Sequence, residues 1–196
     1  MGSKTSLTAG ALAAGALALL AACQPSAPTK PVAEAPPAPV MPKAQASVIE
    51  LMSGTIAPTA DIIWGAVGTI EGPKGPVDKK PTTDKDWAEL RQKVMLLAES
   101  ANLLAVPDRA VLHAGQKLAN PAGPGDLPPE KAQEKIKAQW PAWLAFTQAL
   151  QNSALETLKS VDAKDVDKFV EAGGAIDEAC EACHKSFWYP DTPTPP

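Results

Sequence analysis

Apolar residues at Ile49, Met52, Ile56, Ala60, Ile63, Val67 and Ile70 recur at steps of three or four, which places them on one face of a helix. Pro58 predicts a bend within it. A second set, Trp87, Leu90, Val94, Leu97, Ala101 and Leu104, repeats the spacing and is stopped by Pro107. A third helix is predicted to open at Pro128-Pro129-Glu130, where proline suits a first turn, and to carry Ile136, Trp140, Trp143, Leu150, Ala154 and Leu158. Pro141 predicts a kink there. The fourth is predicted to begin near Asp162 as N-cap, with Asp165 three residues on, and to run through Val166, Phe169, Val170, Ile176, Ala179 and Phe187. The connections 72–83 and 107–128 are proline-rich, and the second is long for a helix bundle. Four amphipathic stripes around one core predict an all-α chain, an antiparallel four-helix bundle. One Tyr, three Phe and no run of alternating apolar and polar residues leave little with which to build a sheet.

The ends follow different rules. Lys4 precedes a run of Ala, Leu and Gly that closes in Leu20-Ala21-Ala22-Cys23, too short and Gly-rich for a comfortable membrane span, so residues 1–22 read as an export signal. Leu-Ala-Ala-Cys is similar to a bacterial lipoprotein signal, in which Cys23 is acylated and becomes the first residue of the mature chain; the plainer reading is a secretory signal with an incidental cysteine. Acylation at Cys23 supplies two or more chains, enough for stable attachment to a lipid bilayer. Gln24 after that cysteine resembles outer-membrane sorting. Residues 23–45 are then a Pro/Ala-rich tether with few large apolar groups, unable to offset its ordering entropy by burial. Residues 190–196 read as an unstructured tail, leaving 46–189 as the folded domain.

Length and charge narrow the function classes. The chain has 196 residues, and a domain of 46–189 buries roughly two-thirds of its unfolded surface in one core. Net charge is −4, and no Lys/Arg cluster interleaves with aromatic residues, so nucleic acid is not expected as a partner. No pair of carboxylates suggests acid–base catalysis, and no Ser/His/Asp or Gly-rich phosphate constellation is present, so the chain is not read as an enzyme.

Cys180-Glu181-Ala182-Cys183-His184 is the C-x-x-C-H pattern of covalent c-type haem attachment. Steps of three and four put Cys180, Cys183 and His184 on one helical face, so two sulfurs reach the haem vinyl groups while the imidazole reaches the iron. Ala179, Ala182, Gly173 and Gly174 keep nearby side chains small, so that a flat macrocycle can approach the backbone. Three other readings stand beside this one. A Cys180–Cys183 disulfide is strained within a helix and leaves His184 unexplained. Zinc would take Cys180, Cys183 and His184, with His113 as the nearest fourth candidate; His113 reads otherwise as a solvated loop residue. A thioredoxin-like pair needs strands that the pattern does not supply.

With C-x-x-C-H on the last of four helices and Phe187 three residues beyond it, the chain resembles the class II c-type cytochromes, the cytochrome c′ superfamily. The resemblance implies one covalent haem c with His184 as proximal iron ligand. Low-spin members place a Met from the first helix on the distal side and transfer electrons; Leu51-Met52 matches that pattern, and Met52 lies on the first apolar stripe. High-spin members leave the distal side apolar and bind NO or CO, in which case Met52 only packs in the core. Met95 falls off the second stripe and Met41 lies in the tether. Trp188 departs from the family, which usually carries Arg after the aromatic residue. Phe187, Trp188 and Tyr189 are expected to cover a haem edge or lock the helix end, and Trp64, Trp87, Trp140 and Trp143 to wall the core or pocket. The leading expectation is a monohaem electron carrier held at the periplasmic face of a bacterial membrane. It would exchange electrons with envelope redox proteins, with a homodimer also compatible; the alternative is a five-coordinate haem protein that binds NO or CO.

Overall fold

The computed structural model describes residues 42–119 and 123–190. The expectations for the signal at 1–22, Cys23, the tether as far as 41 and the tail beyond 190 fall outside those residues. The described chain is mostly helical with one small two-stranded sheet. In order, it forms α1 (Val48–Leu51), a π-helical turn (Met52–Ile56), α2 (Ala57–Trp64), β1 (Gly68–Gly72), β2 (Gly75–Lys79), α3 (Asp84–Leu104), α4 (Pro129–Ala138), α5 (Trp140–Asp162) and α6 (Val166–Phe187).

Segment α1 starts at a capping box: the Ser47 hydroxyl accepts from Glu50 N at 3.2 Å and the Glu50 carboxylate accepts from Ser47 N at 2.7 Å. The bend expected at Pro58 takes the form of the π-helical turn. Pro58 has no N–H and its ring crowds the carbonyl of Gly54, so the turn before it widens, and Ala57 N–H bonds back to Met52 O. The first helix is shorter than its stripe. Gly65 ends it, and Gly68 at φ +146°, a conformation few L side chains adopt, turns the chain into β1. Val67 and Ile70 therefore leave the helix, and Ile70 is 52% exposed.

The expectation of no sheet is corrected in the same place, because the glycines at 68, 72 and 75 allow a hairpin around Pro73-Lys74 that composition alone disfavoured. Its register pairs Gly68 with Lys79, Thr69 with Asp78, Ile70 with Val77, Glu71 with Pro76 and Gly72 with Gly75.

In α3 all six stripe residues are buried, and the helix ends at Leu104, short of Pro107. Pro141 does more than kink the third run. Lacking an N–H and crowding the carbonyl of Lys137, it splits the run at Gln139, whose φ −119° and ψ 36° are not helical. The start of α6 is also corrected: Asp165 is the N-cap, its side chain accepting from Lys168 N at 3.1 Å, while Asp162 is the last residue of α5. Val170 leaves the expected apolar face and is 53% exposed.

The core lies where α3 packs on α5, α5 on α6, and α2 against both α3 and α6. Phe169, Ile63, Leu97, Ile176, Val94 and Val161 are fully buried in it. Within the long 107–128 connection, the segment 109–111 is packed against the helices. Its carbonyls at Ala110 and Val111 accept from Val48 N and Ile49 N, satisfying two unpaired donors of α1. The buried Arg109 guanidinium donates to Leu103 O and Ala46 O, joining the end of α3 to the start of α1.

Candidate functional site

The last two turns of α6 face an apolar cleft. Ala179, Cys180, Cys183 and His184 form one wall, with Asp177 and Glu181 at the same lining. Opposite stand Met52, the first residue of the π-helical turn, then Ile56, Ala57, Ala60 and Trp64. Leu104 of α3 and Phe146, Thr147 and Leu150 of α5 complete it. The cavity measures about 220 Å³, or about 820 Å³ of empty space counting its open mouth. The fold thus brings together four of the residues singled out from sequence, Cys180, Cys183, His184 and Met52. Met95 packs against the core without lining the cleft.

Burial governs the chemistry of these groups. It pushes the Cys180 thiol up to about 11, with the Asp177 charge adding, and the Cys183 thiol up to about 12, with Cys180 adding. Both are free cysteines. A thiol kept neutral by its surroundings is slow to attack a disulfide, which speaks against the thioredoxin-like reading. Burial lowers the pKa of His184, favouring the neutral imidazole that has a lone pair for a metal. His113 sits elsewhere, its Nε2 3.0 Å from Gln45 O and 3.3 Å from Glu50 Oε2 at the start of α1. His113 is therefore not the fourth zinc ligand, and among the described residues no group of three or more His, Cys, Asp or Glu side chains is placed to hold a metal ion.

The end of α6 is folded over His184. Trp188 N and Tyr189 N both donate to His184 O, at 2.8 and 3.0 Å, and the Trp188 ring meets the imidazole edge-on at 5.1 Å. Tyr189 donates its hydroxyl to Glu181, and burial together with that carboxylate raises the tyrosine pKa. Phe187 is buried edge-on against Trp143 and Phe146, at 5.3 and 5.9 Å, and anchors the helix end.

Gly173 and Gly174 do not line the cleft. They border a neighbouring groove, where Trp64 Nε1 donates to Gly173 O at 2.9 Å and a Cβ on Gly173 would touch the indole at 3.7 Å. A Cβ on Gly174 would meet nothing within 4 Å, so neither glycine is there to admit a macrocycle. Trp87 and Trp143 are buried core residues, and Trp140 is partly buried against the core. Phe146 and Thr147 were not visible in the sequence as cleft residues, because they face the site only once α5 is set beside α6. The donor set fits a covalent haem: two unpaired sulfurs one helical turn apart, an adjacent neutral imidazole, and an apolar cleft with Ala57, Ala60 and Ala179 leaving room.

The sequence matches no protein-family model and no curated protein. Among solved structures it is similar to a cytochrome c′ at 23% identity and TM-score 0.40, covering 72% of this chain and 88% of that one. It is similar also to two mutant forms of cytochrome c′ from Alcaligenes xylosoxidans, one reduced and one in complex with nitric oxide. Each is 20% identical with TM-score 0.41, covering 72% of this chain and 87% of the other. Among the described residues no helix is long and apolar enough to cross a membrane.

Proposed function

We propose that the chain is a monohaem c-type cytochrome that carries single electrons between envelope redox proteins. In this reading its helical runs form an antiparallel four-helix bundle with haem c on the last helix, and acylated Cys23 tethers it to the periplasmic face of a bacterial membrane. The supporting observation is that Cys180, Cys183, His184 and Met52 line one apolar cleft. When bound, haem c supplies a one-electron iron couple. Cys180 and Cys183 hold it by thioethers, and His184 offers its neutral imidazole as proximal ligand. Ile56, Ala60, Leu104 and Leu150 keep water from most of the pocket, lowering its dielectric. Met52, from the opposite wall, offers a soft uncharged sulfur, which favours the reduced state.

The test compares the haem-loaded protein with Met52→Ala. The parent is expected to show the far-red sulfur-to-iron band when oxidised and to take up CO slowly when reduced. Met52→Ala is expected to lose the band and bind CO readily. A parent that already lacks the band and binds CO as fast as Met52→Ala has Met52 merely packed. The chain is then a five-coordinate binder of NO or CO, which the room beside Ala57 and Ala60 accommodates.

A further inference from the structure

An imidazole bound to a metal through one nitrogen keeps an N–H on the other. That N–H ordinarily donates to a carboxylate or a backbone carbonyl, which raises the basicity of the ligand and fixes its ring. His184 lacks such a partner: of the two histidines, only the His113 ring is hydrogen-bonded among the described residues. Packing holds the His184 ring instead, edge-on to Trp188 at 5.1 Å and tilted against Tyr189 at 6.0 Å.

An acceptor stands close by. Glu181 precedes His184 by three residues on α6, a spacing that makes them neighbours on the helix surface, and it lines the same cleft. Burial lowers the pKa of His184 and the Glu181 charge opposes that lowering, so the carboxylate is near enough to act on the imidazole. Both of its oxygens are engaged elsewhere. Tyr189 donates its hydroxyl to Oε2, and Lys185 Nζ lies 3.2 Å from Oε1. The two ties are unequal: the partly exposed i,i+4 pair with Lys185 is of a kind that holds weakly, whereas a hydroxyl donating to a carboxylate is charge-assisted. Tyr189 is itself fixed in place. Its N–H and that of Trp188 donate to His184 O, and Leu127 N donates to Trp188 O at 2.6 Å, joining the helix end to the 107–128 connection.

We infer that Tyr189 is a positioning residue that sets the donor strength of His184 by keeping Glu181 off the imidazole N–H. This rests on the reading of the site as a covalent haem centre with His184 on the iron, and it holds whether Met52 ligates or only packs. With the carboxylate tied to Tyr189, His184 offers the metal a plain neutral imidazole, a weaker donor than one paired with a carboxylate, which favours the reduced state. Removing the hydroxyl releases one oxygen of Glu181 beside an N–H that has no other partner among the described residues. The hydrogen bond that then forms strengthens the ligand and favours the oxidised state.

The test is a double-mutant cycle on the haem-loaded chain, Tyr189→Phe made with and without Glu181→Ala. Phenylalanine keeps the ring that packs on His184. The reduction potential is read in the otherwise native chain, and the iron–imidazole stretch of the reduced form by resonance Raman on the Met52→Ala background, where the distal side is open. Tyr189→Phe is expected to shift the redox equilibrium about tenfold toward the oxidised form, a fall of about 59 mV for one electron, and to raise the stretching frequency. Both changes should vanish when Tyr189→Phe is made on Glu181→Ala. A potential and a stretch that Tyr189→Phe leaves unmoved overturn the inference, and so do changes that persist without Glu181. A fallen potential with an unmoved stretch also overturns it, since that marks a displaced charge rather than a new hydrogen bond. A parent without covalent haem overturns the haem reading and this inference with it, and its intact mass tells that failure apart from the others.

Discussion

At the scale of single residues, burial and hydrogen bonding decide which groups are reactive. Ionisable groups shift in opposite directions at the two ends of the site's helix. Asp165 is an exposed cap whose carboxyl is lowered by the Lys168 N–H, whereas Cys180 and Cys183, deep in the cleft, are raised by desolvation. The clearest exposed case is Asp86, which accepts from Thr82 N and Thr83 N, both at 2.9 Å, and is lowered from its ordinary 3.8 to about 2. A group lowered on folding stabilises the fold above its unfolded value and loses that contribution as pH falls through the folded one. The stabilisation from Asp86 is therefore complete above about pH 4 and disappears toward pH 2. Asp86→Asn is expected to flatten acid unfolding across that window, read by circular dichroism; a curve that coincides with the parent's contradicts this. The reciprocal partner is testable at neutral pH, where Thr83→Ala removes the cap and is expected to cost about 1 kcal/mol in denaturant unfolding.

At the scale of elements, what was legible in the sequence tracks what is local. The α3 stripe from Trp87 to Leu104 is buried as its spacing predicts, and the C-x-x-C-H spacing places Cys180, Cys183 and His184 on one face. Three elements were misread for identifiable reasons. Val67 and Ile70 continue the helical period by coincidence beyond Gly65, and periodicity cannot see that Gly68 adopts a positive φ. Asp162 and Asp165 are both good caps, and only the tight link at Lys164, φ 53°, selects the second. Gly173 seemed to serve the site, yet its partner is Trp64, 109 positions away, a pairing that only tertiary structure reveals. The packing of α6 rests on Phe169, 1% exposed and edge-on to Trp87 at 6.4 Å. Phe169→Ala is expected to destabilise the fold by about 3–5 kcal/mol, since the space cannot close without moving α3. A loss under about 1 kcal/mol in a denaturant titration would mean that α6 does not depend on this contact.

At the scale of the whole molecule, the cleft is assembled from four places in the chain. The π-helical turn and α2 supply one wall, α6 the other, and α3 and α5 the rest. The site is complete only when all of them are docked, so under the proposed function haem loading would be coupled to folding, and the loaded protein is expected to unfold later than the unloaded one. Everything proposed about electron transfer depends on Cys180 and Cys183 being covalently joined to a haem rather than left as the buried thiols of the bare polypeptide. The most direct measurement is the intact mass of denatured protein, purified from a host that matures c-type cytochromes, beside a pyridine haemochrome spectrum of the same sample. The account predicts a mass of the polypeptide plus one haem that survives denaturation, a haemochrome of the two-thioether type, and loss of the covalent haem in Cys180→Ala/Cys183→Ala. A colourless product at the mass of the polypeptide alone, or a haem that washes out on denaturation, would contradict it.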